Sequence, residues 1–263
     1  MQKISSKDNS LIKHIKRLKE KKYRDEYGEF IVEGLKLINE AIQENADIRQ
    51  IIVCDGCDNS EIIERHLKYE MARLDFIYVP QNIFKMISDV ENPQGLLAVI
   101  GKAKNDNTTI DLNADIILAL DDIQDPGNLG TILRTADSVG LNQILVSKDT
   151  ADSYNPKVVR STMGAIFRTK IIECDNIKET LIDLQKKDYK VMVTSLKADK
   201  TIYKVDYRKK IIVIGNEANG VSKEILNIAD EKVIIPMLGK TESLNASVET
   251  GVILYEYVRQ KYN

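Results

Sequence analysis

The sequence predicts an α/β protein in two domains, a small one followed by a larger one built on a parallel sheet. Three observations carry this. Short apolar strands alternate with segments of helical periodicity along the chain. One polar stretch, Gly101-Lys-Ala-Lys-Asn-Asp-Asn-Thr-Thr109, lacks apolar periodicity and reads as a linker, placing the domains at 1–104 and 105–263. Beyond it the strands are continuously apolar, as strands covered on both faces must be.

In the first domain Ser10 can cap a helix whose Leu11, Ile15 and Leu18 share one face. Residues 29–34 read as a strand, and 35–43 as a helix with Leu35, Ile38, Ala41 and Ile42 inward. Further strands fall at 51–54, 76–79 and 95–100, with helices at 60–73 and 82–88. In the second domain strands recur at 116–120, 143–146, 169–172, 190–194, 211–214 and 232–235. Helices at 129–139, 177–187, 222–228 and 244–261 separate most of them. For the last helix Ser243 is a natural N-cap, and Leu244, Val248, Val252 and Tyr255 recur at helical spacing. On such a sheet, ligands sit beyond the carboxyl ends of the strands.

Composition narrows the class. At 43% hydrophobic and 30% charged, the chain is ordinary for a soluble globular protein. No apolar run reaches membrane-spanning length and the first residues lack a signal peptide's apolar core, so a cytoplasmic protein without a membrane partner is expected. Three cysteines, an odd number, argue against a disulfide framework. Cys54-Asp-Gly-Cys57 has CxxC spacing, but Cys174, His14 and His66 are too scattered to complete a zinc site. It reads as a strand end and a glycine turn, and no metal is expected. The net charge of −2 does not announce a nucleic-acid partner. Yet nine basic residues face four acidic ones before Gly28. Lys13, Lys16 and Arg17 could there neutralise phosphates, or simply form a solvated helix face.

Three turns carry the chemistry. Asp121-Asp-Ile-Gln-Asp-Pro-Gly-Asn128 joins a strand to a helix bearing Arg134; Asn128 could be that helix's N-cap. Gly215-Asn-Glu-Ala-Asn-Gly220 follows a buried strand. Val221 stands where a phosphate-binding loop needs its lysine, and no GxGxxG is present, so nucleotide triphosphate and Rossmann sites are disfavoured. Pro236 ends the last strand, and a polar turn leads through Gly239 and Ser243 to Leu244 and Asn245. A fourth segment, Lys157 to Ala165, has two readings. Gly164 and Ala165 let elements approach closely, or the loop presents Arg160 and Ser161 to RNA or a neighbouring subunit.

In this order and spacing the three turns resemble the signature motifs of the SpoU (TrmH) family of RNA ribose 2′-O-methyltransferases, of the SPOUT class. Residues 4–99, with Phe30-Ile-Val-Glu-Gly34, are similar to that family's ribosomal-protein-like substrate-binding domain. The resemblance implies a C-terminal SPOUT domain tied in a deep trefoil knot, S-adenosylmethionine as cofactor and a homodimer. It implies Asn128, Arg134, Glu217, Ser243 and Asn245 at the catalytic edge. Thr194, Ser195, Leu196, Gly215, Ile235, Met237 and Leu244 would hold the cofactor. Structured RNA is then the substrate, ribosomal before transfer RNA. A guanidinium is hard to deprotonate, so Arg134 is read as a clamp on phosphate and hydroxyl, with proton removal left to Glu217, water or late transfer. Glu249 departs from the small apolar residues of the family and is expected to face solvent or a subunit seam. Two rivals remain. A non-catalytic RNA-binding protein on the same scaffold would have lost Arg134, Glu217 or Asn245. A small-molecule or protein methyltransferase would have little use for the basic opening.

Overall fold

The computed structural model describes residues 2–57, 67, 73–103 and 109–262. The helix expected over 60–73 falls almost wholly outside these residues, as does the middle of the linker. The chain divides into two compact units: Met1–Lys104 with Tyr154–Phe167, and Asn105–Ser153 with Arg168–Asn263. No helix among the described residues is long and apolar enough to cross a membrane.

The first unit holds a five-stranded mixed sheet in the order β1-β4-β3-β5-β2. Its strands are β1 (Gln2–Lys3), β2 (Glu29–Glu33), β3 (Ile48–Asp55), β4 (Phe76–Pro80) and β5 (Leu96–Gly101). Alternation along the strands sends Ile52, Cys54, Ile77 and Val79 to one face, against Ile12, Ile15, Leu18 and Phe84. Those four belong to α1 (Ser10–Arg17), its following residue, and α4 (Gln81–Ile87). Asn9, not Ser10, caps α1 by accepting from the Leu11 N–H at 2.9 Å. A second helix, α2 (Lys21–Tyr27), went unread because its sequence KKYRDEY has no apolar stripe. Helix α3 (Leu35–Gln43) buries Leu37, Ile38 and Ala41.

The segment Tyr154–Phe167, expected in the second domain, packs with the first unit. Phe30 meets the rings of Tyr154 and Phe167 at 4.8 and 6.4 Å. A Cβ at Gly164, whose φ is +103, would come within 2.8 Å of Glu40, so this close approach needs glycine. The CxxC pair also needs correction. Cys54 and Cys57 form a disulfide with Cα atoms 5.7 Å apart, because Gly56 at φ +76 turns the chain back after β3.

The second unit is a seven-stranded, wholly parallel sheet in the order β10-β12-β9-β11-β6-β7-β8. Its strands are β6 (Ile116–Asp121), β7 (Gln143–Ser147), β8 (Lys170–Cys174), β9 (Lys190–Thr194), β10 (Lys200–Thr201), β11 (Lys210–Gly215) and β12 (Glu231–Ile234). Between them lie α5 (Pro126–Ser138), α7 (Ile177–Gln185) and α8 (Lys223–Ile228), and α9 (Ala246–Tyr262) ends the unit; α6 (Pro156–Thr162) belongs to the first. One sheet face packs Ile117, Ala119, Ile211 and Val213 against Leu181, Leu184 and Ile225 of α7 and α8. Helices α5 and α9 pack on each other, and α9 touches β11. The three special turns follow the carboxyl ends of β6, β11 and β12 in one unit.

Candidate active site

At the end of β11 the chain doubles back tightly. Asn216 and Gly220 exchange backbone hydrogen bonds of 3.1 and 2.8 Å. A Cβ at Gly215 would sit 2.2 Å from the Gly220 carbonyl carbon and the Val221 nitrogen, so only glycine fits. The Asn216 amide donates to the Asp122 carbonyl at 2.9 Å, and the Ser222 N–H donates to Asp121 at 2.7 Å. These bonds fasten the turn after β11 to the turn after β6.

Glu217 projects from that turn onto the start of α5. Its carboxylate accepts from the backbone N–H groups of Gln124 and Asp125, both at 3.1 Å, and from the Asn128 amide at 2.9 Å. Burial pushes this carboxyl up. The bonds from Asn128, Gln124, Asp125 and its own backbone N–H outweigh that, and its pKa lies below the ordinary glutamate value. Asn128 is therefore not the N-cap. Asp125 is, accepting from the Asn128 N–H at 2.8 Å, which frees the Asn128 side chain.

The chain of bonds continues. Asn128 Oδ1 accepts from the Asn245 amide at 2.9 Å. Asn245 Oδ1 in turn accepts from the Ser247 N–H at 2.9 Å and the Ser247 hydroxyl at 2.7 Å. Asn245 thus caps α9, which begins at Ala246, whereas the sequence had suggested Ser243 and an earlier start. Because the Glu217 carboxylate can only accept, both amide orientations follow from it, and each asparagine keeps a second N–H. The three turns form one hydrogen-bonded unit. Arg134 stands further along α5, exposed, with no hydrogen bond or ion pair to any described residue.

Beside this network lies a cleft of about 440 Å³. All seven residues expected to hold the cofactor line it, together with Ser243 and Glu217. Its walls come from the segments that follow β9, β11 and β12, with Leu196, Ile235, Met237 and Leu244 among the apolar lining residues. The sequence reading missed Glu249. It lines the cleft rather than facing only solvent or a seam, and the available signal was its position one helical turn after Asn245.

The four residues expected to bind RNA stand in the first unit. Lys13, Lys16 and Arg17 are exposed on α1; Lys13 pairs with Asp8 at 3.1 Å. Arg17 lies over the Tyr23 ring at 5.5 Å and donates to the Tyr27 hydroxyl at 3.3 Å. Arg160 is on α6, half-buried and ion-paired with Asp89 at 3.2 Å. It is tied within its own unit.

Known proteins resemble this chain in sequence and in fold. Residues 115–255 match the SpoU rRNA Methylase family, and residues 9–98 match an MRM3-like substrate binding domain. The chain belongs to the SpoU rRNA methylase family. Among its relatives is the 23S rRNA (guanosine(2553)-2′-O)-methyltransferase RlmP of Bacillus subtilis, 29% identical over 97% of this chain and 98% of that one. The 23S rRNA (guanosine-2′-O-)-methyltransferase RlmB of Xanthomonas axonopodis is 30% identical over 87% of this chain and 95% of its own. Among solved structures, an AdoMet-bound rRNA methyltransferase from Sinorhizobium meliloti superposes with a TM-score of 0.85 at 29% identity, over 98% of each chain. The SpoU methyltransferase AviRb of Streptomyces viridochromogenes, in complex with AdoMet, gives 0.86 at 26% identity, over 97% of this chain and 99% of that one.

Proposed function

We propose that this SpoU protein methylates a ribose 2′-hydroxyl of ribosomal RNA, using S-adenosylmethionine. The observation that carries the reading is the hydrogen-bonded line from Glu217 through Asn128 to Asn245, set beside the cleft. The residues fit the cofactor. A cleft of about 440 Å³ lined by three turns, with apolar side chains among polar groups, has the size and character of a small-molecule site. Bound there, the cofactor supplies an electrophilic methyl group on a sulfonium.

The chain's own part is positioning. Arg134 offers paired N–H groups to a phosphate and the hydroxyl, and keeps its proton. Glu217 is no base here, since both its oxygens are engaged and its pKa is lowered. It orients Asn128 and Asn245, whose remaining N–H groups, with Ser243, face the ribose. The hydroxyl proton passes to water at the open edge as the new bond forms.

In the same reading residues 1–104 grip folded RNA, with Lys13, Lys16 and Arg17 on phosphates and Tyr23 and Tyr27 as stacking surfaces. The chain after β12 is threaded as a trefoil knot, supported by its packing in one cleft with the turns after β9 and β11. The protein works in the cytoplasm as a homodimer. Its exposed apolar stripe on α9 supports the dimer: Val248 and Tyr255 are 51% and 55% exposed.

Methyl-labelled S-adenosylmethionine and total RNA test the activity. Label is expected on ribose oxygens of ribosomal RNA; label on bases, or on transfer RNA alone, overturns the assignment.

A further inference from the structure

Glu249 lies in the first turn of α9, and its side chain lines the cofactor cleft. The other charged residues there are Lys197, Glu217 and Glu242, each from a different turn. Lys197 and Glu242 are exposed, and Glu217 is committed to its three donors. Glu249 differs. Burial pushes its carboxyl above the ordinary glutamate value, against the opposing pull of a hydrogen bond from Thr194. A carboxyl poised in this way responds to the charge of whatever enters the cleft.

We infer that Glu249 makes the cleft select the positively charged methyl donor over its demethylated product. The inference rests on the cofactor reading above. S-adenosylmethionine carries a sulfonium and an ammonium against one carboxylate, a net charge of +1 by its chemistry. Loss of the methyl turns the sulfonium into a neutral thioether, so the product has no net charge. An ionised Glu249 therefore attracts the donor as a whole charge and the product only through dipoles. Selection of this kind favours product release after each turnover. It also couples donor binding to a proton. Where Glu249 starts protonated, the donor expels that proton and the product leaves it in place. Donor affinity falls as pH drops through the raised pKa, and product affinity does not.

Titration calorimetry with S-adenosylmethionine and S-adenosylhomocysteine tests this on wild type and Glu249→Gln, in buffers of different ionisation heat from about pH 5 to about pH 8. The glutamine keeps the shape and the Thr194 hydrogen bond but loses the charge. Donor affinity is expected to fall roughly tenfold, the effect of one partly screened charge, and product affinity by less than about twofold. Wild type should release a proton on binding donor at the acid end and none on binding product; this readout needs no variant. Equal weakening of both ligands, or proton release with both, overturns the inference. Wild type that binds neither compound overturns the cofactor reading with it. Without ligand, Glu249→Gln should melt above wild type at neutral pH. A raised pKa favours the fold only below it, so this advantage should vanish on acidification.

Discussion

Asn128→Asp probes the hydrogen-bonded line most directly. Asn128 donates to Glu217 across 2.9 Å, and aspartate replaces that donor with an oxygen. At neutral pH two carboxylates would then face each other roughly 3 Å apart, costing about 1.4 kcal/mol in bulk water and about 5.5 kcal/mol at an effective dielectric of about 20. Glu217 is exposed and Asn128 half-buried, so solvent screens much of the repulsion, and about 2 kcal/mol, toward the lower end, is a fair figure. The lost hydrogen bond adds about 1 kcal/mol. The sum, about 3 kcal/mol, lowers methyl transfer roughly a hundredfold if the network holds the catalytic geometry. The sign with pH follows. Like charges raise the shared pKa, so acidification places one proton between the two oxygens and rebuilds the bond. Initial rates of methyl transfer to ribosomal RNA should therefore show a deficit that narrows as pH falls. Asn128→Ala should show a smaller deficit without that slope. An Asn128→Asp enzyme within about threefold of wild type at neutral pH, or with the same flat deficit as alanine, refutes the reasoning.

Other expectations follow from single residues. Arg134→Lys keeps the charge but loses the planar pair of donors; kcat should fall roughly ten- to hundredfold while Tm holds, and a kcat near wild type removes the clamp. Gly215→Ala drives a Cβ to 2.2 Å from backbone atoms. It should cost roughly 2–3 kcal/mol, and cofactor binding should fail by calorimetry. Tyr255→Glu places a charge on the exposed stripe of α9; with that stripe as the proposed dimer seam, light scattering should give dimers for wild type and monomers for the variant, and equal masses remove the seam.

Much of the molecule was legible in the sequence because its signals are local. Helix α3 is bounded by the apolar spacing of nine residues, and β9 by a continuous apolar run, Val191-Met-Val193, between polar ends. Gly215 and Pro236 announce turns through their own backbone chemistry. What escaped was contextual. Helix α2 has no stripe, and the segment Tyr154–Phe167 joins the first unit through rings on other elements. The stripe of Val248 and Tyr255 looks like a core face, yet the side of α9 that packs inward carries Thr250, Ile253, Leu254 and Glu256.

The sequence by itself determined which residue types could serve: acceptor-only Glu217, two-sided Asn128 and Asn245, and a permanent cation at Arg134. Only the tertiary structure decided their roles. The bond from Asn128 to Glu217 spans 89 positions and that from Asn245 to Asn128 spans 117, so no local pattern encodes them. The parallel sheet brings these turns to one edge. There, each donor and acceptor takes the partner the neighbouring turn presents, which is why Glu217 is an anchor and Glu249 faces the cleft.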